Sequence, residues 1–441
     1  MVVVGGGLAG CEAATQAARR GIHVLLYDMK PQRLSPAHIS EDLAELVCSN
    51  SLRANVVENA VGLLKEEMRR LGSLIIEAAD ATAVPAGRAL AVDRTGFAQY
   101  VTRAIEENPL IELRREVVAE IPDEPNVILA TGPLTAPELA RDLQRMLGEE
   151  YLYFYDAIAP TVYADSLDHT VVFRASRYEE GEGDYLNIPL DAEQYHAFVA
   201  ALLDAEPVPL HKFEETLYFE GCLPIEEMAR RGPRTLAYGP MKPVGLVNPR
   251  TGRRSHAVIQ LRQEDKDGVL FNLVGFQTKL RIGDQRRILR ALPGMEKAVF
   301  ARFGSVHRNT YVNAPQRLQP SLELKARKGL YLAGQMAGVE GYVESAALGG
   351  LAGTNAARSV LGQPAVSVPR ESAHGALLAH LQNTSARDFQ PMNVNFGLFP
   401  PLDPSVRGPR KMPKREKHAA MAARGLHAIE SYAAQVGWAA R

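Results

Sequence analysis

Residues 2–4 are three consecutive valines, and an apolar β-branched run of that kind predicts a short strand. Gly5-x-Gly7-x-x-Gly10 comes at once, and residues 8–20 then space their apolar and small positions as a helix does. A second apolar run, 22–27, ends on the acid Asp28, and prolines keep 30–36 from being helix throughout. Val61, Leu64, Met68 and Leu71 share one face of a helix over 58–71, while 93–107 reads as another helix with Asp93 at its N-cap. Two more apolar runs, 111–118 and 127–130, continue the alternation, the second closing in Ala130-Thr131-Gly132. From about 151 to 303 the pattern changes to proline-rich, strand-like pieces with isolated helices such as 191–203. The first pattern then returns in Gly329-Leu330-Tyr331-Leu332-Ala333-Gly334 and a small-residue helix over 345–361. These periods predict an α/β fold: a discontinuous Rossmann-like domain, 1–150 and 303–441, with an inserted α+β domain, 151–302.

The glycines say what the first domain binds. Gly5 permits a tight strand-to-helix turn, Gly7 lets the backbone approach a pyrophosphate, and Gly10 lets helix and strand pack closely. Around them Gly6, Leu8 and Ala9 put unpaired N–H groups of a helix N-terminus toward the anion, and Asp28 is placed to hold ribose hydroxyls. The second Gly-rich turn, Gly334-Gln335, and the strand ending in Thr131-Gly132 are similar to the segments with which two-dinucleotide flavoproteins hold extended FAD. Gln335 stands where those proteins usually have Asp. The Ala and Gly content of 345–361 is also that of a closely packed helix pair, the lesser reading beside a dinucleotide fingerprint.

Composition narrows the partners. With 46% hydrophobic residues over 441 positions the chain can bury a large core, and a net charge of −1 excludes a globally basic nucleic-acid binder. Any polyanion must meet a local patch, and Arg407, Arg410, Lys411, Lys414, Arg415, Lys417 and Arg424 stand against the single acid Glu416. Such a run is also what a solvated helix face looks like. No apolar run has the length of a membrane span, and strand residues begin directly at the start, so the expected location is cytoplasmic. Cys11, Cys48 and Cys222 lack metal-ligand or Cys-x-x-Cys spacing, so no metal is expected, and each is either a small buried hydrophobe or a reactive thiol. Cys11, inside the fingerprint helix, reads as buried. Arg53 is the nearest basic residue to Cys48, and Pro224 after Cys222 can open a helix over 225–229. Tyr342 and His307 are planar groups suited to stacking on an extended heterocycle, although His307 taken alone reads first as a hydrogen-bonded surface or core residue.

Four segments carry a family resemblance beyond the fingerprint: Val47-Cys48-Ser49-Asn50-Ser51-Leu52-Arg53, Phe219-Glu220-Gly221-Cys222-Leu223-Pro224-Ile225-Glu226, Gly239-Pro240-Met241-Lys242-Pro243 and His307-Arg308-Asn309-Thr310. With Gly334 to Ala347 they resemble the TrmFO family of folate- and FAD-dependent tRNA uracil C5-methyltransferases. The related MnmG (GidA) modifiers of wobble uridine share the flavin segment but are longer. The resemblance implies FAD as cofactor, methylenetetrahydrofolate as carbon donor, NADPH or NADH as reductant, the T-loop uridine of tRNA as substrate and no obligate protein partner. It implies that Cys222 is the thiol adding to uracil C6 and Cys48 the thiol assisting at C5, with His307 as a folate contact. The residues themselves do not order the two cysteines. A wobble-uridine modifier and a non-catalytic FAD-dependent RNA-binding protein are the alternatives; a disulfide reductase would want a Cys-x-x-Cys pair.

Overall fold

The computed structural model describes residues 1–35, 37–148, 152–178, 181, 183–208, 223–385, 389–403 and 412–437. The valine run forms the strand Val2–Val4, every residue of it buried, at the centre of a five-stranded sheet. Leu330–Leu332, Val127–Leu129, Val2–Val4, Val24–Asp28 and Ile111–Arg115 lie side by side in that order, all parallel. Register aligns their ends. Val4 is paired with Tyr27 on one side and Leu129 on the other, and Leu129 with Leu332. The carboxyl ends of four strands therefore reach one edge together, and Gly5, Asp28, Thr131 and Gly334 leave the sheet as neighbours. The chain departs from the central strand in opposite directions here, which is where an open parallel sheet has its crevice.

Above that edge the helix Leu8–Ala18 is buried on every side. Its closest partner is the helix Tyr342–Val360, and the approach is possible because two residues lack side chains: a Cβ at Gly349 would stand 2.2 Å from the Ala9 oxygen, and one at Gly353 would stand 2.3 Å from that of Ala13. The expected helices over 58–71 and 93–107 are Ala60–Arg70 and Arg94–Glu106, the latter capped by Asp93, whose Oδ1 accepts from Gly96 N at 2.6 Å.

A ribbon of two antiparallel strands, Leu152–Ala157 and Val306–Tyr311, carries the chain out and back. Between its arms lies a six-stranded sheet with antiparallel pairing throughout, in the order Phe173–Arg174, Tyr185–Leu190, Ala257–Gln263, Leu270–Leu273, Thr161–Tyr163 and Phe300–Arg302. Asp191 and Gln194 form a capping box at the start of the helix Ala192–Asp204, as the 191–203 pattern implies. The two sheets have separate cores, one built from Val2 to Leu143 and Tyr311 to Val436, the other from Val162 to Ala298. Among the described residues no helix is long and apolar enough to cross a membrane.

Candidate active site

At the crevice is an open cavity whose lining includes Gly5, Gly6, Gly7, Leu8, Ala9, Asp28, Thr131, Gly132, Gly334, Gln335 and Tyr342. Gly10 is not in the lining. Its place is behind it, where a Cβ would fall 1.8 Å from the Gly5 oxygen. A Cβ at Gly7, by contrast, would meet nothing within 4 Å and would project into open space in front of the helix. Gly7 is the N-cap of Leu8–Ala18 and offers no side-chain cap, so the first N–H groups of the helix are left for an anion. A pyrophosphate fits this cradle because the one position a side chain would occupy is empty by sequence. Asp28 is buried and already bonded: Oδ2 accepts from Gly6 N and Oδ1 from Lys30 N, each at 2.9 Å. Each oxygen keeps a second lone pair, and the carboxylate fixes the glycine turn as well as facing the cavity.

Tyr342 joins this cavity to a thiol. It is the first residue of Tyr342–Val360, and its hydroxyl lies 2.8 Å from Cys48 Sγ. The backbone N–H groups of Cys48 and Ser49 donate to the same oxygen at 2.8 and 3.4 Å. Both lone pairs are then occupied, so the phenol's own hydrogen is directed to the sulfur. Burial, with the neighbouring thiol as the next cause, pushes the phenol well above its ordinary range, which keeps that hydrogen in place.

The loop carrying Cys48 is held from three directions. Arg94 Nη1 donates to the Leu46 oxygen at 2.8 Å, and Arg302 Nη1 to that of Val47 at 2.6 Å. Arg262 reaches Ser49 Oγ at 2.6 Å with Nη2 and Asn50 Oδ1 at 2.9 Å with Nε. The fully buried Asn50 in turn donates through Nδ2 to the Val92 and Gln263 oxygens, each at 2.8 Å. Sequence reading missed all three arginines, since two of them arrive from the antiparallel sheet and nothing in their local pattern marks them.

Arg53, the expected basic neighbour, is engaged elsewhere. It adopts a left-handed backbone, φ +63, and its guanidinium pairs with the buried carboxylate of Glu344, which also accepts from Val394 N at 3.0 Å. Lys65 Nζ, wholly buried, supports the strand Ser51–Ala54 by donating to the Leu52 and Ala54 oxygens at 2.7 Å and the Arg53 oxygen at 3.3 Å. With no carboxylate in that set, burial lowers its ammonium to about 7.

Cys11 is fully buried, as expected, with Sγ donating to the Gly6 oxygen at 3.3 Å. Cys222, Arg407, Arg410 and Lys411 lie outside the described residues, and His307 is on the strand Val306–Tyr311 opposite Asp156. The helix after Cys222 is Ile225–Arg230 with Pro224 at its N-cap, and the buried Glu226 pins it by accepting from Thr278 Oγ1 at 2.9 Å and Lys279 N at 2.8 Å. Lys414, Arg415 and Lys417 are exposed in the first turn of Lys414–Gln435. Arg424 does not belong with them: its two Nη atoms donate to the Pro400 and Pro401 oxygens at 2.6 and 2.9 Å. Among the described residues no cluster of His, Cys, Asp and Glu is arranged to hold a metal.

The family described as glucose inhibited division protein A matches residues 1–364. The methylenetetrahydrofolate–tRNA-(uracil-5-)-methyltransferase TrmFO of Geobacter sulfurreducens is 58% identical over 437 residues, which is 99% of this chain and 99% of that one. The protein of the same name from Moorella thermoacetica is 55% identical over 426 residues, covering 97% of this chain and 96% of its own. Among solved structures, GidA of Aquifex aeolicus aligns with a TM-score of 0.71 at 17% identity, over 99% of this chain and 73% of the other, a likeness of fold. Cradle, thiol loop and near full-length similarity converge, and the chain belongs to the TrmFO methyltransferases within the glucose inhibited division protein A family.

Proposed function

We propose that the protein is a methylenetetrahydrofolate- and FAD-dependent tRNA uracil C5-methyltransferase that acts on the T-loop uridine in the cytoplasm, with NADPH or NADH as reductant. The observation that carries this reading is the single side chain, Tyr342, that both lines the dinucleotide cavity and hydrogen-bonds Cys48. A thiol one residue from a flavin site suits chemistry that joins a redox cofactor to a nucleophile or base. FAD would lie with its pyrophosphate at Gly5 to Ala9, its ribose toward Asp28, and its remaining length along Thr131-Gly132 and Gly334-Gln335 to Tyr342. When bound and reduced, it supplies the two electrons that convert the transferred one-carbon unit to a methyl.

The chain's own groups do the rest. Cys222 as thiolate adds to uracil C6; the S–C6 bond forms and the C5–C6 π pair becomes the nucleophilic C5 of an enolate. C5 takes the one-carbon unit, and Cys48 removes the C5 proton, becoming a thiol. The S–C6 bond then breaks and its electron pair returns to Cys222. Over a turnover, uridine, methylenetetrahydrofolate and reduced flavin give 5-methyluridine, tetrahydrofolate and oxidised flavin. His307 is proposed as a folate contact. The boundaries 1–150 with 303–441 and 151–302 are proposed as the two domains, supported by the separate cores.

For RNA, Arg410, Lys411, Lys414, Arg415 and Lys417 are proposed to contact phosphates. Cations in the first turn of a helix oppose its dipole at roughly 0.3–1 kcal/mol each, so stability alone favours acids there. A phosphate ligand accounts for Lys414, Arg415 and Lys417 where a solvated face does not. Arg415, itself exposed, stands 3.8 Å from the half-buried Glu58, a long surface contact of little worth. The test is nucleoside mass analysis of unmodified tRNA incubated with the protein, methylenetetrahydrofolate and NADPH. 5-Methyluridine at the T-loop is expected; none in the digest, with FAD bound, sinks the proposal.

A further inference from the structure

Among the described residues, charge around Cys48 does not balance. Arg94 has a counter-ion, since Glu264 accepts from its Nη2 at 3.0 Å and brings its other oxygen to 2.8 Å from Nε. Arg262 is buried, Arg302 is partly so, and among the described residues neither has a carboxylate within ion-pair distance. Their hydrogen-bond acceptors are neutral: the Val47 carbonyl, the Ser49 hydroxyl and the Asn50 amide. Taking a guanidinium out of water without a compensating anion is strongly unfavourable, so a site that holds two beside one thiol calls for a negative charge.

Among the described residues, the groups facing that thiol are Tyr342 from its helix, Arg94 with Glu264, Arg262 from the strand Ala257–Gln263 and Arg302 from Phe300–Arg302. Tyr342 keeps its proton and donates it to sulfur. Glu264 pairs with Arg94 and is also the carboxylate that acts on Arg262 and Arg302, so among the described residues a single acid faces three guanidiniums. Among those residues the remaining group able to become an anion there is Cys48.

We propose that Cys48 rests as a thiolate and is itself the counter-ion of Arg262 and Arg302, which act as positioning residues reaching the thiol loop from the antiparallel sheet. A thiolate is the form able to take the C5 proton, and its place would then depend on how the second sheet sits against the first. This rests on the reading of Cys48 as a reacting thiol, but it makes a statement about charge that can be checked without turnover.

The experiment is the pH dependence of iodoacetamide reaction at Cys48, read by peptide mass mapping, on the FAD-loaded protein. Parent, Arg302→Gln, Arg302→Lys and Arg262→Gln would be compared, with the flavin spectrum confirming the fold. In the parent the midpoint should fall below that of a free thiol. Arg302→Gln should move it up by about one pH unit or more, cutting the alkylation rate near neutrality about tenfold. Arg302→Lys should restore it, and methylation by Arg302→Gln should fall in kcat with the KM for tRNA unchanged. If Arg262→Gln fails to hold FAD, the Arg302 pair decides alone. A midpoint in the parent equal to that of a free thiol, or one that Arg302→Gln leaves in place, overturns the proposal. Full methylation by Cys48→Ala would instead remove Cys48 from the reaction while leaving the alkylation midpoints to judge the charge pairing.

Discussion

Cys11 and Cys48 are the same chemical group in opposite circumstances. Cys11 is in the first turn of Leu8–Ala18, where the helix dipole favours an anion, and position alone would single it out as the reactive thiol. It is not, because the dipole offers only about 0.3–1 kcal/mol while burying a thiolate costs several. Burial, with the Asp28 carboxylate adding to it, pushes the Cys11 thiol far above its ordinary range. Cys48 is on a loop, half-buried, with a phenol proton at its sulfur and three guanidiniums on the residues that flank it. Reactivity is set by the balance of desolvation against charge, and secondary structure is the smaller factor.

The sharpest way to break that contrast is to remove each sulfur. Cys48→Ala should lose methylation by about 10²–10⁴-fold, the range for a positioned proton-transfer group, and keep FAD. It should still attach covalently through Cys222 to RNA carrying a fluorinated uracil, seen on a denaturing gel. Cys11→Ala should methylate within about twofold of the parent and lose about 1 kcal/mol of stability as a small core truncation. Comparable loss of turnover in both variants would end the distinction.

The next effect tests whether the Cys11 region is architecture for the nucleotide. Gly10→Val drives a side chain into the Gly5 oxygen and should cost at least about 3 kcal/mol, releasing FAD altogether. Asp28→Ala should weaken FAD by about 1.5–3 kcal/mol, through lost ribose contacts and a loosened Gly6 turn. Flavin titration ranks the two, and equal retention would contradict the roles given to them.

A smaller effect sharpens the electrostatics. In the unfolded chain Cys11 ionises near about 8.5, and in the fold it ionises far higher. Between these values the unfolded state binds fewer protons, so stability falls as pH rises, by up to about 1.4 kcal/mol per unit. Cys11→Ala lacks this contribution. Under reducing conditions its deficit against the parent in urea unfolding should be full at pH 7, narrow above pH about 8.5 and reverse by about pH 10; a constant deficit would mean that the buried thiol does not resist ionisation. Least of all should change when Lys414, Arg415 and Lys417 are reversed to Glu. Alkylation of both thiols should stay as in the parent, while the salt slope of tRNA binding becomes shallower by roughly 0.7–0.9 per lost phosphate contact. An unchanged slope would return those residues to a solvated surface.

Much of this molecule could be read before folding it. The valine run, the three glycines, Asp28, the Asp93 and Asp191 caps and the return of α/β alternation near 329 are governed by period, turn sterics and capping, which act over a few residues. Even the division of labour among Gly5, Gly7 and Gly10 came from spacing alone. The environment of Cys48 did not. Arg53 was the local candidate and is committed to Glu344, whereas Arg302 meets Val47 across 255 positions of sequence and Arg262 meets Ser49 across 213. A sequence specifies its strands by short-range sterics and hydrophobic period, but the electrostatics at a sulfur atom is a sum over every charge that packing brings near it, and that sum exists only once the two sheets are placed against each other.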